Sequence, residues 1–139
     1  MSMIQVQEAR QKILEKINFK GVEKVSLDQA LGRVLAEDIV AGLNNPPLDN
    51  SAMDGYALIA EDIANATPDT PVKLEVVEEI AAGYSAKGTL KSGQAMRIMT
   101  GAPIPAGANA VLMQEDTDKE DNFILAKDRA DVEENIRKA

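Results

Sequence analysis

Up to about residue 45 the apolar positions recur at helical spacing, whereas beyond residue 50 they alternate or run together as they do in strands. Ile4, Ala9, Ile13, Leu14 and Ile17 predict an amphipathic helix over residues 3–17, ending before Gly21. Ser2 with Gln5 three positions later forms a capping-box pattern at its start. The pattern repeats at Ser26 and Gln29, predicting a short helix that Gly32 can end, and Val34–Val40 then reads as extended.

Pro46-Pro47 interrupts this regime, because each proline fixes φ and removes a backbone donor. Beyond it, Tyr56–Ile59 predicts a strand, and residues 61–70 are small and polar, with room for one helical turn. Val72, Leu74 and Val76 alternate with polar partners, so residues 72–80 read as a strand broken at Ala81-Ala82-Gly83 through a bulge. Leu90–Gly93 is turn chemistry; residues 95–100 form the next strand, and Gly101–Gly107 is a stiff loop. Ala110–Gln114 is nearly all apolar and predicts a buried strand. Asp116–Asn122 reads as a solvated hairpin turn leading to a return strand at Phe123–Ala126, and residues 130–139 carry no clear pattern. The expected class is therefore mainly β with some α, an α+β fold. The expected organisation is a β domain over 49–127 and a mixed helical and strand region made by 1–48 with 128–139.

Composition narrows the chemistry. The 139 residues are 45% hydrophobic and 27% charged, which is globular, while 3% aromatic content makes the core aliphatic. A net charge of −8, from 15 basic and 23 acidic residues, argues against a nucleic-acid partner, whose phosphates are bound by Lys and Arg clusters. The absence of His and Cys removes the usual general base, thiol nucleophiles and zinc ligands together. Chemistry here rests on carboxylates, hydroxyls, Lys and backbone groups, which suit Mg²⁺ or oxyanions. No targeting peptide and no apolar run of membrane-spanning length is visible, so the expected compartment is the cytoplasm, with no membrane partner. The first helix mixes Glu and Lys on its polar face, which favours core packing over membrane binding.

Chemistry-bearing residues concentrate in Pro46-Pro47-Leu48-Asp49-Asn50-Ser51-Ala52-Met53-Asp54-Gly55-Tyr56-Ala57. Asp, Asn and Ser favour side-chain to backbone turns, and Asp54-Gly55 lets the chain turn before the apolar Tyr56–Ile59. Such a stretch is either a polar site on a loop or a satisfied Asx-type turn between strands, and spacing leaves both open. Met53, Met96, Met99 and Met113 are better read as core filler than as ligands, since thioethers suit soft metals. The acidic run Glu115–Asp121 lacks the Gly and terminal Glu of a calcium loop and reads as a solvated turn.

Residues 49–57 resemble the DNSAMDGYA signature of the MoeA family, the molybdopterin molybdenumtransferases, which includes the E domain of gephyrin. Met96–Glu115 is similar to the family's RIMTGAP-x-P-x-GA-x-AV-x-MQE segment, and Val25–Asp38 also looks like the family. The resemblance covers nearly the whole chain but only the family's amino-terminal portion. It implies an elongated fold of the MoeA amino-terminal type, lacking the pterin-binding and small β domains of full-length members. Glu133-Glu134-Asn135-Ile136-Arg137 stands where the family has GENIR, so Glu133 replaces a Gly and the following Gly-Glu-Asp is absent.

By resemblance, the function is to supply one wall of the site that inserts molybdate into adenylylated molybdopterin, with Mg²⁺ assistance and release of AMP. The alternative is a protein-binding or assembly module derived from that family. Motif position implies Asp54 and Thr100 as the catalytic contributions, with Asp54 near Mg²⁺ or molybdate. The chemistry agrees, since a carboxylate can hold Mg²⁺ or orient its water and a hydroxyl can donate to an oxyanion. On the bland reading, Asp54 caps the turn at Gly55 and Thr100 ends a strand with a satisfied hydroxyl. Asp49, Asn50 and Ser51 would shape the loop or sit just behind the substrate. Adenylylated molybdopterin and molybdate would be met through the absent pterin-binding domain, in a homodimer of the full-length enzyme. The chain alone is expected to be inactive and to bind no cofactor.

Overall fold

A computed structural model describes residues 3–18 and 21–139. The chain divides into two compact units, Met1–Val40 and Ala41–Ala139.

In the first unit α1 spans Val6–Lys16, inside the predicted range, and carries a Glu8–Lys12 ion pair at i,i+4. Its start has Gln5 at the N-cap with no side-chain cap bond; Ser2, on which the capping box depended, lies outside the described residues. The predicted short helix is a single 3₁₀ turn, Leu27–Gln29, followed by Gly32 at φ +82° and bonded at its end by Arg33 Nε to the Gln29 carbonyl. Val34–Val40, expected to be extended as a strand, is irregular and exposed. A strand needs a ladder partner for its backbone groups, and this segment pairs with none among the described residues. None of the described residues of this unit is buried, so the apolar positions that predicted α1 face outward, Ile13 being 63% exposed.

The second unit is built on strands β1 (Asn50–Ser51), β2 (Gly55–Leu58), β3 (Val72–Ile80), β4 (Gln94–Ile98), β5 (Ala110–Met113), β6 (Thr117–Glu120), β7 (Phe123–Ala126) and β8 (Ile136–Arg137). Six form one curled sheet in the order β5-β2-β4-β3-β7-β6, with β3 and β4 parallel and every other neighbour antiparallel. β2 lies between β5 and β4 and is buried along its whole length, which explains why Gly55–Leu58 reads as an unbroken apolar run. One face carries a core of Tyr56, Leu58, Ile63, Leu74, Leu112 and Ile124; the other carries Ala57, Ile80, Met96, Ile98 and Val111. Alternate residues of each strand therefore feed separate aliphatic clusters.

Three local expectations change. The bulge anticipated at Ala81-Ala82-Gly83 lies inside β3, where the register with β4 shifts between Val76 and Glu78. Gly83, at φ +83°, instead belongs to a turn closed by Tyr84 N–H to the Ala81 carbonyl. The acidic segment expected as a turn is mostly the strand β6; the turn itself is Asp121-Asn122, with Asp121 at φ +47°. Charges on β6 suit an edge strand, since they discourage pairing with another chain. The tail without pattern is ordered as well, because β8 pairs antiparallel with β1.

The other sheet edge is covered by the chain's own end. Val111 N–H donates to the Glu134 carbonyl, Asn135 Nδ2 donates to the Val111 carbonyl, and Glu133 N–H donates to the Asn109 carbonyl. Glu133, Glu134 and Asn135 thus bond within the second unit, which spans Ala41–Ala139.

Candidate functional site

At the Asp54–Gly55 step, expected to let the chain turn, the glycine has no positive φ and serves packing instead. Gly55 begins β2, and a Cβ there would lie 2.1 Å from the Leu112 carbonyl oxygen. Glycine is required for close backbone approach between β2 and β5. That packing fixes Asp54 at the lip of the sheet, where its carbonyl accepts from Gln114 N–H at 3.2 Å.

Across β4, the chain ends its strand at Ile98 and turns at Gly101, φ +83°, which presents Thr100 to Asp54. Thr100 donates its backbone N–H and its hydroxyl to the same oxygen, Asp54 Oδ1, both at 2.7 Å. These bonds favour the charged form and hold the Asp54 carboxyl below its ordinary range, the hydroxyl contributing most and the N–H next; the charge of Arg97 adds a smaller pull. Asp54 is therefore ionised at neutral pH, with Oδ1 satisfied and Oδ2 without a partner among the described residues. The Thr100 hydroxyl hydrogen is committed to Asp54, so in this arrangement it offers a lone pair rather than a proton to a ligand.

The other motif residues divide differently. Ser51 is completely buried, its hydroxyl donates to the Met53 carbonyl at 2.6 Å, and its backbone exchanges bonds with Gly101 and Ala102. It therefore fixes the motif loop against the Thr100–Ala102 turn. Asn50 joins β1 and bridges to Pro103, while its Oδ1 is buried without a partner. Asp49 points to the chain's end instead, accepting from Lys138 Nζ at 3.0 Å and Ala139 N–H at 2.9 Å, and its carboxyl is held low chiefly by the latter bond. The structure thus brings Asp54 and Thr100 into contact, sets Ser51 behind them and commits Asp49 to the tail.

No group of three or more acidic side chains that could cage a metal occurs among the described residues. Asp54 Oδ2 can supply one oxygen ligand, which fits Mg²⁺ only in the mode where waters and substrate phosphates fill the remaining positions.

Sequence reading missed two groups, Arg97 beside Asp54 and Asn109 at the opposite end of β2. Arg97 on β4 donates to the Gly55 carbonyl at 2.8 Å and to Gln114 Oε1, tying the strand that leads to Thr100 to the one that follows Asp54. Asn109 accepts from Ala60 N–H at 2.7 Å and donates to Glu61 at 2.8 Å, anchoring the chain after β2 and lowering the Glu61 carboxyl. Arg97 sits at an alternating strand position, where a charge next to Tyr56 was the available signal.

Comparison with known proteins decides what this arrangement belongs to. Residues 4–139 match the family model described as the MoeA N-terminal region, domain I and II. The chain belongs to the MoeA family. Molybdopterin molybdenumtransferase 2 of Mycobacterium tuberculosis is 44% identical over 137 residues, covering 99% of this chain and 34% of that protein. The molybdopterin molybdenumtransferase of Nostoc is 53% identical over 105 residues, or 74% of this chain and 24% of that protein. A crystal structure of the molybdopterin biosynthesis MoeA protein from Pyrococcus horikoshii OT3 superimposes with a TM-score of 0.89 at 42% identity, over 98% of this chain and 36% of that one. The chain spans about a third or less of the curated relatives it matches. In MoeA terms it is the amino-terminal region, mainly β with one α-helix among the described residues. No helix among them is long and apolar enough to cross a membrane.

Proposed function

We propose that this chain forms the amino-terminal wall of a molybdopterin molybdenumtransferase, facing the site where molybdate enters adenylylated molybdopterin. The supporting observation is the Asp54 carboxylate, with one oxygen held by two Thr100 bonds and the other unpartnered. A fixed, ionised carboxylate with a free oxygen can bind a hard cation or orient a metal-bound water. Thr100 acts by aiming that carboxylate. Mg²⁺, where it takes part, gains one ligand here and the rest from substrate and solvent. Asp49, Asn50 and Ser51 shape the loop and make no direct contact with reacting atoms. The pterin and its adenylyl group are held by the part of the relatives' length that this chain does not span, in a cytoplasmic homodimer.

A second reading, an assembly module without chemistry, draws on the first unit, none of whose described residues is buried. Exposed apolar positions along α1 suit contact with a partner.

One experiment separates them. Asp54→Asn, placed in a full-length relative, keeps shape and removes the charge. Losing a preorganised electrostatic group costs on the order of 3 kcal/mol in the barrier, so molybdate-dependent AMP release falls about a hundredfold with an unchanged thermal melt. Release at the wild-type rate makes Asp54 a turn residue and leaves the assembly reading.

A further inference from the structure

At one end of the curled sheet, beside but separate from Asp54, an open groove of about 390 Å³ is lined by Tyr56, Arg97, Gln114, Thr117 and Lys119. Its volume lies in the range of small-molecule clefts, which favour the mouths of curled and closed sheets. The fold builds this lining deliberately. Tyr56 and Arg97 are register partners on β2 and β4, with the guanidinium 5.2 Å from the ring centroid. Thr117 and Lys119 are alternate residues of β6 and share a face. The Thr117 hydroxyl donates to the Gln114 carbonyl at 2.8 Å, joining the two sides.

The polar groups here are donors in excess of their partners. Tyr56 is 5% exposed, and its hydroxyl, which makes no hydrogen bond among the described residues, keeps contact with solvent and so is available to a ligand in the groove. Arg97 uses one N–H on the Gly55 carbonyl and one on Gln114 Oε1, leaving three of its five. Lys119 offers three more. Neither Arg97 nor Lys119 forms an ion pair among the described residues, although Lys73, Lys127 and Lys138 on the same unit all do. Glu79 in register beside Arg97 and Glu115 after Gln114 form no ion pair with either cation, and Asp54, whose carboxylate feels the Arg97 charge, is bonded to Thr100 instead.

A phenol, a guanidinium and an ammonium around one groove, without a carboxylate bonded to the cations, match a ligand rich in acceptors and negatively charged. We propose that this groove is an anion site for a phosphate or diphosphate group, with Arg97 and Lys119 supplying charge and the Tyr56 hydroxyl fixing orientation. Arg97 is held in place by Gly55 and Gln114, so little side-chain freedom is lost on binding. The site stands on its own geometry and does not depend on the transferase reading.

The test is titration of the 139-residue chain with inorganic pyrophosphate, followed by amide, Arg Nε and Tyr side-chain NMR signals. Sodium chloride at matched ionic strength serves as the control, and inorganic phosphate and sulfate distinguish diphosphate from any divalent anion. Saturable shifts confined to Tyr56, Arg97, Gln114 and Lys119 are expected. Tyr56→Phe, which keeps the ring, and Lys119→Gln, on an exposed strand, should each weaken pyrophosphate about tenfold, the effect of one charge-assisted hydrogen bond. Shifts that chloride reproduces, shifts centred elsewhere, or unchanged affinity in either folded variant would overturn the site. None of these results bears on molybdate transfer.

Discussion

Thr100 gives both of its donors to a single oxygen of Asp54, and the second oxygen of that carboxylate is left without a partner. Two motifs separated by more than forty positions in the chain meet in this one contact. It is made possible by β2 and β4 running antiparallel, with Gly55 opposite Ile98.

The contact predicts a titration. With its carboxyl held low by the Thr100 hydroxyl first and the Thr100 N–H second, Asp54 binds its proton more weakly when folded than when unfolded. The stability this contributes is fully present above the unfolded carboxyl range and is lost as pH falls through the folded value. Thr100→Val removes the hydroxyl bond and keeps the N–H bond. The Asp54 carboxyl, followed by ¹³C NMR from pH 6 downward, should then move up toward the ordinary aspartate range near 3.9. An Asp54 titration midpoint identical in both proteins would show that the hydroxyl bond is not formed in solution.

Gly55 predicts a steric failure. An alanine Cβ would meet the Leu112 carbonyl oxygen at 2.1 Å, and backbone on backbone cannot yield as a side-chain tip can. Gly55→Ala should lower stability by roughly 3 kcal/mol, at the upper end of overpacking effects, because β2 must part from β5. Gly88→Ala, with open space around it and no positive φ, should change stability by less than about 0.5 kcal/mol. Urea unfolding of both variants gives the comparison; equal effects would remove the close-approach explanation.

Glu133 predicts a gain. It occupies φ +70°, a left-handed conformation that costs a side chain of ordinary type on the order of 1 kcal/mol, at the position where the family motif has glycine. It also pairs with Lys138 at 2.8 Å on an exposed surface, which contributes little. Glu133→Gly and Glu133→Ala lose the ion pair alike, so their difference isolates the backbone. The glycine variant should be the more stable by about 1 kcal/mol, read from denaturation midpoints. A more stable alanine variant would mean that the turn relaxes out of the left-handed region in solution.

Much of the fold followed from the sequence because local pattern and tertiary environment agree. Residues 72–80 and Phe123–Ala126 form strands over the spans their apolar residues marked, since one alternating face meets a core. The two signature segments, Asp49–Ala57 and Met96–Glu115, also pointed to the family whose model matches residues 4–139.

Other features were settled only when distant segments met. Asp118–Glu120 carries a charge pattern indistinguishable from a solvated loop, and becomes an edge strand because β7 offers it a ladder. Gly55 looked like a turn glycine, yet what demands it is the Leu112 carbonyl on another strand. The tail has no periodicity of its own and gains order from bonding the exposed edge of β5. Asp49 and Asp54 are chemically equivalent in the motif, but one is committed to Lys138 and the other keeps a free oxygen. The sequence by itself determined where carboxylate, amide and hydroxyl side chains concentrate and which positions are apolar, since these are properties of side chains and their spacing. Which carboxylate is left free, which glycine is obligatory and which strand edge is covered depend on distances between residues far apart in the chain, and those only the tertiary structure decided.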